Sequence, residues 1–240
     1  MNYKENLSPN FSMRNVKIEY IIIHYTGMNK LNETLQLFTQ PNSKVSCHWL
    51  ISRRGSLYKI VDEKYMAWHA GISSWKGKQN LNNNSIGIEL ENKGHGINYE
   101  RFTKSQIKKL EELIELLLRK YKLKTKNVLA HSDIAPNRKF DPGEKFSWES
   151  LAKKNLAYWP KLKKIEDNEI CFQLGQKNKE IFKIKNRLRK IGYQCSKNEN
   201  FDISLKLVIE AFQRRFLPEQ INGILDRKVC ERILQVSKNA

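Results

Sequence analysis

Short apolar runs of strand length, interrupted by one long amphipathic segment, constrain the fold of this chain most. Residues 20–25 (YIIIHY), 85–92 (SIGIELEN) and 127–131 (NVLAH) are rich in aliphatic and β-branched side chains, as buried strands are. Residues 102–121 instead carry apolar side chains every three or four positions, which is the period of a helix with one buried face. Because strands and helix alternate, we expect an α/β fold with a mixed central β-sheet flanked by helices.

Two local signals add detail to this fold. Residues 45–51 and 56–61 have the pattern of a hairpin with Gly55 in its turn. Thr103 and Gln106 have the spacing of a capping box, in which the two side chains satisfy backbone groups at the start of a helix. We therefore expect a strand pair between the first and second runs and a helix that begins next to Thr103.

The last third of the chain has a different pattern. Apolar side chains at helical spacing predict three short helices within residues 180–193, 204–216 and 225–236. Gly192 is placed to end the first helix, and Asp226 to cap the last one. These segments predict a small C-terminal three-helix bundle.

A domain boundary is expected near Pro160, where the proline and a charge-rich run interrupt the pattern. We predict a first domain over residues 1–160, a linker over 161–175 and a helical domain over 176–240. All five histidines lie in the first 131 residues: His24, His48, His69, His95 and His131. Metal or acid–base chemistry is therefore expected in the first domain.

Three candidate metal ligands lie at the ends of predicted strands or in the loop that follows one. His24 is near the end of the first run, His131 ends the third, and Asp141 lies in the following loop. A catalytic zinc site needs three nitrogen or oxygen ligands and leaves a fourth position to water. A lone histidine at a strand end is more often a core residue, so the spacing leaves both interpretations open. The four cysteines are widely spaced and predict neither a cysteine-based zinc module nor a disulfide framework.

Two charged residues would complete this group as a hydrolase. Glu89 lies on the face of its strand opposite the apolar side chains and could take a proton from a metal-activated water. Lys139 is two residues before Asp141, so in an extended segment both side chains point the same way. Its ammonium group could stabilise negative charge on a carbonyl oxygen. The alternatives are a surface-facing glutamate and a solvated lysine.

The segments YIIIHYTG, WHAG, SIGIELEN and HSDIAPNRKFDPG occur in this order and resemble the zinc-dependent N-acetylmuramoyl-L-alanine amidases of the amidase-2 family, relatives of peptidoglycan recognition proteins. The resemblance spans roughly residues 18–145 and is closest to the AmiD-like subgroup, which carries an added helical domain. It implies cleavage of the amide bond between N-acetylmuramic acid, or its anhydro form, and L-alanine of the stem peptide.

The resemblance also assigns roles by position. The zinc ligands would be His24, His131 and Asp141. Glu89 would be the catalytic glutamate and Lys139 the lysine beside the metal. Cys47 stands where other family members have a tyrosine, which leaves proton transfer and oxyanion stabilisation to Glu89 and Lys139.

Three further residues are candidates for substrate contact. His69 matches a family position near the substrate cleft, with structural packing against Trp68 as the alternative. Arg138 could hold a stem-peptide carboxylate through its guanidinium fork, or could be an ordinary surface arginine. Tyr25 is a weaker candidate because only its position next to His24 supports it.

The tail resembles the three-helix peptidoglycan-binding module. The turn that is usually aspartate–glycine is Asn222–Gly223 here. We expect this domain to bind the cell wall, and the alternative is a bundle that only packs on the catalytic domain.

The formal net charge of +19 favours an anionic partner, although scattered surface lysines would give the same value. A peptidoglycan or muropeptide ligand fits this charge. Nucleic acid is not expected, because basic and aromatic residues do not combine in a recognised binding module. The competing functional hypothesis is a binding protein that holds wall fragments without cutting them, and Glu89 with Lys139 favours the enzyme.

The sequence has no run of about 18 apolar residues, so no membrane span is expected. It also shows no visible signal peptide. The wall-binding tail nevertheless favours the bacterial envelope (periplasm) or secretion, with the cytoplasm as the alternative. The oligomeric state and the preference for intact or anhydro-muropeptides are left open.

Overall fold

A computed structural model describes residues 1–160 and 169–238 of the chain. The strands are β1 (Lys4–Glu5), β2 (Phe11–Met13), β3 (Tyr20–Tyr25), β4 (Trp49–Ile51), β5 (Leu57–Lys59), β6 (Tyr65–Ala67), β7 (Ser74–Trp75), β8 (Lys78–Gln79), β9 (Ser85–Leu90), β10 (Val128–Ala130), β11 (Ile170–Phe172) and β12 (Leu225–Asp226). The helices are α1 (Leu31–Thr39), α2 (Lys104–Lys120), α3 (His131–Ile134), α4 (Trp148–Lys153), α5 (Lys179–Ile191), α6 (Ile203–Phe216) and α7 (Arg227–Lys238). None of the helices within these two ranges is long and apolar enough to cross a bilayer.

A six-stranded sheet forms the centre of the molecule. Its order is β1-β5-β4-β9-β3-β10, with β4 and β5 antiparallel and the other neighbours parallel. The mixed central sheet flanked by helices is therefore confirmed. Because β3, β9 and β10 run parallel, their carboxyl ends lie at the same edge of the sheet, where open α/β sheets usually bind ligands.

Both faces of the central strand β3 are buried. Ile21 and Ile23 pack in one apolar cluster with side chains of α2 and α4, whereas Tyr20 and Ile22 pack in a second cluster with side chains of the C-terminal helices. Alternate residues of a strand point to opposite faces, so its near-continuous apolar run fits a strand covered on both sides. The covering layers thus bury β3, and His24 with it.

The predicted strand over 20–25 has the bounds of β3, and the predicted hairpin forms from β4 and β5. The strand predicted over 127–131 ends one residue early, at Ala130. His131 instead begins the one-turn helix α3, which turns the chain away from the sheet edge.

Helix α2 begins beside Thr103, as the sequence predicts. The Thr103 hydroxyl accepts a hydrogen bond from the Gln106 backbone amide at 3.1 Å. In a capping box the Gln106 side chain would bond the backbone amide of Thr103. Here it donates instead to the carbonyls of Ile51 at 3.0 Å and Glu91 at 3.1 Å. These carbonyls follow or end two neighbouring strands, so the glutamine fastens α2 to the sheet.

The three helices predicted in the tail are α5, α6 and α7. Gly192 follows α5 with a φ of 144°, and the Asp226 carboxylate accepts from the Val229 amide at 2.7 Å at the start of α7. Within the segment predicted as a linker, β11 pairs antiparallel with β12. Residues 161–168 of that segment lie outside the described residues.

The tail is joined to the first part of the chain by buried polar contacts as well as by the shared apolar cluster. Asp133, in α3, accepts hydrogen bonds from the Tyr193 hydroxyl at 2.6 Å and from Arg215 Nη1 at 2.5 Å. Asp133 and Arg215 are only 1% and 4% exposed. The helix that begins with His131 is thus fastened from the tail side.

Candidate active site

The candidate site lies at the carboxyl ends of three adjacent parallel strands. His24, near the end of β3, stands in register with Glu89 on the neighbouring β9. His131 follows β10 directly. The Ser132 amide donates to the Asp141 carbonyl at 3.0 Å, which brings the loop after α3 back to the same edge.

The three predicted metal ligands converge. His24 Nδ1 lies 2.9 Å from His131 Nδ1 and 3.0 Å from Asp141 Oδ2, and His131 Nδ1 lies 2.9 Å from the same carboxylate oxygen. All three side chains are buried. They form a group that could hold a metal ion.

The chemistry of these atoms fits a cation. His131 Nε2 lies 3.1 Å from the Ala70 carbonyl, which can only accept a hydrogen bond, so Nε2 of His131 carries a hydrogen. Nδ1 of His131 is then the ring nitrogen available to coordinate a cation. It lies 2.9 Å from the Asp141 carboxylate oxygen, and a cation at this point would attract both atoms.

The protonation states of two ligands also suit metal binding. Burial, followed by the neighbouring His131, lowers the pKa of His24 to about 4, so its ring is neutral near pH 7. Burial alone would raise the pKa of Asp141, but its contacts with His131 and His24 outweigh burial and lower it. A neutral imidazole and an ionised carboxylate are the forms that coordinate metals.

Glu89 has an unsatisfied buried atom beside this cluster. Its Oε2 atom is buried and has no hydrogen-bond partner among the described residues. Burial raises the pKa of Glu89 well above its ordinary value, the nearby Asp141 raises it further, and Lys139 lowers it. A buried, unpaired carboxylate oxygen is costly in a core, and its presence at a cavity wall is typical of an acid–base group.

All eight residues that the sequence predicts for the site line one cavity of ≈ 310 Å³. They are His24, Tyr25, His69, Glu89, His131, Arg138, Lys139 and Asp141. This volume lies at the lower end of the range of about 300–1,000 Å³ for small-ligand pockets. The sequence predictions are therefore brought together in space, while their individual roles stay predictions.

Arg138 is held by the loop that follows β6. Its Nε and Nη2 atoms donate to the Ile72 carbonyl at 3.0 and 2.7 Å, and Nη2 also donates to Ala70. The guanidinium edge formed by Nε and Nη2 is thus occupied by backbone carbonyls. The predicted bidentate grip on a stem-peptide carboxylate would have to use other guanidinium hydrogens.

Tyr25 and His69 are both hydrogen-bonded to histidines. The Tyr25 hydroxyl lies 2.9 Å from His95 Nδ1, and burial raises the pKa of Tyr25 to about 12. His69 is only 7% exposed, and its Nδ1 atom lies 2.9 Å from His24 Nε2. His69 therefore contacts a candidate metal ligand from behind as well as lining the cavity.

No sequence pattern pointed to Asn82, whose side chain holds the backbone at His69 and Ala70. Its Oδ1 atom accepts from the backbone amides of His69 at 3.0 Å and Ala70 at 2.6 Å. Asn82 belongs to an asparagine-rich loop, and loop position alone does not distinguish it from its neighbours. Cys47, which replaces a tyrosine of the family pattern, is fully buried, with Phe38 and Leu50 in the same apolar cluster.

Comparison with known families and proteins shows what this chain is similar to. Residues 14–144 match the family described as N-acetylmuramoyl-L-alanine amidase. The chain is 33% identical to the N-acetylmuramoyl-L-alanine amidase AmiD of Escherichia coli over 234 residues, which covers 91% of this chain and 83% of that protein.

Two solved structures are similar across both parts of the chain. The complex of Escherichia coli AmiD with anhydro-N-acetylmuramic acid-L-Ala-D-γ-Glu-L-Lys has a TM-score of 0.80 at 30% identity, covering 92% of this chain and 89% of that one. AmpDh3 of Pseudomonas aeruginosa in complex with anhydromuramic pentapeptide has a TM-score of 0.76 at 25% identity, covering 92% of each chain. The similarity thus includes the helical tail.

Proposed function

Because the chain belongs to the N-acetylmuramoyl-L-alanine amidase family, we propose that it is a zinc hydrolase of peptidoglycan or muropeptides. The bond cleaved is the amide between N-acetylmuramic acid, or its anhydro form, and L-alanine of the stem peptide. The observation that carries this proposal is the convergence of His24, His131 and Asp141 beside the unpartnered Oε2 atom of Glu89.

His24, His131 and Asp141 would hold the zinc ion. When bound, zinc supplies Lewis-acid activation of water and of the scissile carbonyl. The neutral ring of His24 and the ionised carboxylate of Asp141 are in the required forms without a change of protonation. Burial of all three side chains keeps competing solvent away from the ligand atoms.

Glu89 would act first as a base and then as an acid. Its Oε2 atom has no hydrogen-bond partner within residues 1–160 and 169–238, so it is available to accept a proton from the attacking water. A carboxyl group whose pKa is raised holds that proton more firmly than an exposed glutamate and can deliver it to the departing amide nitrogen. One carboxylate thus serves both proton transfers.

Lys139 would stabilise the negative charge that develops on the carbonyl oxygen. It lines the same cavity wall as Asp141 and is close enough to Glu89 to lower the pKa of that carboxyl group. We propose substrate contact for Arg138 through its positive charge, since its Nε and Nη2 hydrogens are engaged by the loop. The Tyr25 hydroxyl is a candidate hydrogen-bonding group at the cavity rim.

We also propose that residues 176–240 are a wall-binding accessory domain and that the protein acts in the envelope or outside the cell. The net charge of +19 supports attraction to an anionic wall polymer. An accessory domain of this kind is useful only where polymeric wall is present.

The test is mass spectrometry of the products formed from defined muropeptides and from whole sacculi. The wild type is expected to release free stem peptide, and Glu89→Gln to lose about 10²-fold or more of this activity, as general acid–base groups contribute. Zinc content should be unchanged in the variant. Glu91→Gln is the matched control, because Glu91 lies just beyond the same strand and its carboxylate accepts from the Arg53 amide.

Two results would contradict the proposal. Full activity of Glu89→Gln would show that another group is the base. A wild type that binds these fragments without releasing any peptide would favour the non-catalytic wall-binding protein instead.

A further inference from the structure

We propose that His69 is a positioning residue that fixes the ring tautomer of His24 and so presents the Nδ1 lone pair of His24 to the metal. This inference rests on the proposed zinc site and adds a residue that acts through a ligand. The contact is between His69 Nδ1 and His24 Nε2, at 2.9 Å, on the side of the His24 ring away from Asp141.

A series of hydrogen bonds links the Leu81 carbonyl through Ser85 and His69 to His24, and the carbonyl determines the direction of each bond. The Ser85 hydroxyl donates its only hydrogen to the Leu81 carbonyl, which can only accept. The contact of 3.2 Å between Ser85 Oγ and His69 Nε2 must then use a hydrogen on the histidine. His69 therefore carries its proton on Nε2.

The same logic continues to the metal site. In the described part of the chain, the polar partners of the His69 ring are Ser85 and His24. Neither is an anion, so a buried positive charge on this ring would be uncompensated. The ring is neutral, and its Nδ1 atom is an acceptor. His24 must donate from Nε2, which leaves Nδ1 as the ring nitrogen available to the metal.

The hydrogen-bonded series Ser85–His69–His24, here called the relay, is enclosed by the surrounding structure. His69 is 7% exposed and Ser85 is fully buried. Gly87 lies against the His69 ring, and a Cβ atom at that position would collide with it. The His69 amide is fixed by Asn82 at 3.0 Å. A ring enclosed in this way cannot turn freely to offer its other nitrogen.

Ala70, the residue after His69, orients the second histidine ligand, His131, in the same way. The Ala70 carbonyl accepts from Nε2 of His131 at 3.1 Å. Two consecutive residues thus set the tautomers of both histidine ligands from behind. Groups that orient metal ligands in this way typically change metal affinity by about 10–100-fold when they are removed.

The test compares two substitutions of His69 and one of Ser85. His69→Leu removes the acceptor with little change in volume, whereas His69→Asn keeps an acceptor oxygen near the position of Nδ1. Ser85→Ala removes the acceptor for His69 Nε2 and lets the His69 ring take either tautomer. Zinc affinity is measured by competition with a chromophoric chelator. Two-bond ¹H–¹⁵N spectra of the metal-free proteins report which ring nitrogen of His24 carries a proton, and circular dichroism reports folding.

We expect metal-free wild type to show a proton on Nε2 of His24. His69→Leu should bind zinc about 10–100-fold more weakly and show mixed His24 tautomers. His69→Asn should bind close to the wild type, and Ser85→Ala should be intermediate. If His69→Leu does not fold, the relay is tested by the zinc affinity of Ser85→Ala, which should be lower than that of His69→Asn and of the wild type.

The inference is overturned by a His24 Nε2 that carries no proton in the metal-free wild type, or by unchanged zinc affinity in both His69→Leu and Ser85→Ala. The spectroscopic measurement requires no metal and no substrate. A wild type with the expected tautomer but without amidase activity would therefore contradict the proposed function alone, whereas an active wild type with the opposite tautomer would contradict the relay alone.

Discussion

Glu89 and Lys139 have opposite charges and line the same cavity as the three candidate ligands. Burial and Asp141 raise the pKa of Glu89, and Lys139 lowers it. The lysine thus favours the ionised glutamate that can act as a base, while burial strengthens its hold on the proton afterwards. This balance depends on single side chains, so single substitutions should separate the two roles.

Lys139→Met should lower kcat by about 10²–10³-fold and leave KM nearly unchanged. The reason is that negative charge on the carbonyl oxygen develops only on the way to the transition state. Steady-state kinetics on a purified anhydromuropeptide would measure both constants. Lys108→Met, which makes the same charge change on the exposed side of α2, should behave as the wild type. A raised KM with an unchanged kcat would instead show that Lys139 binds the ground-state substrate.

Helix α3 connects the candidate site to the helical tail. It begins at His131, and its Asp133 accepts from the Ala130 amide at 2.9 Å as well as from Tyr193 and Arg215. Tyr193 lies just after α5 and Arg215 lies in α6, so two separate parts of the tail contact the turn that carries a candidate ligand. Loosening this junction should affect stability and metal binding together.

Tyr193 should make the protein sensitive to alkaline pH. Burial, and then the negative Asp133, raise the pKa of Tyr193 above its ordinary value. The folded state therefore keeps the proton more firmly than the unfolded state. The resulting stability is fully present below the unfolded tyrosine pKa of about 10 and is lost as the pH rises above it. Urea unfolding at pH 8 and pH 11 would measure this loss.

Tyr193→Phe should be about 1 kcal/mol less stable than the wild type at pH 8, because it loses the hydrogen bond to Asp133. Its stability should then fall less than that of the wild type between pH 8 and pH 11. Tyr3→Phe, at an exposed position, is the control and should follow the wild type. Equal losses in all three proteins would contradict a buried, strongly protonated Tyr193.

The sequence was informative where the spacing of apolar side chains along a segment determines its secondary structure. The alternation of Ile86 and Ile88 with Glu89 predicted which face the glutamate occupies, and the helical period predicted α2. Short elements such as α3 and α4 gave no such signal, because one or two turns are stabilised mainly by tertiary contacts.

The site could be predicted in part for the same reason. Candidate ligands at strand ends can be read from the sequence, and the family resemblance assigned their roles. The partners behind them cannot be read, because they are distant in sequence or lack a distinctive type: Tyr193 and Arg215 lie 60 and 82 residues after Asp133, and Ser85 resembles any buried strand serine.

The molecule as a whole carries a formal charge of +19, and the tail packs against the sheet that carries the site. A positive field of this size concentrates an anionic polymer around both parts. Long-range attraction would then bring the wall to the enzyme before any specific contact forms.

Binding to sacculi should weaken markedly between 0.1 M and 1 M salt, since the screening length falls from about 10 Å to about 3 Å. Co-sedimentation of the Glu89→Gln protein with sacculi would measure binding without digestion. Sacculi whose carboxylates have been amidated should bind weakly at both salt concentrations. Binding that is unaffected by salt and amidation would show that charge does not drive wall attachment.

The most direct test of the central claim is an anomalous-scattering measurement at the zinc edge on crystals of the zinc-loaded protein. We predict one strong peak at about 2.0–2.2 Å from His24 Nδ1, His131 Nδ1 and Asp141 Oδ2. Zinc bound elsewhere, or a structure in which these three atoms do not surround the peak, would contradict the account.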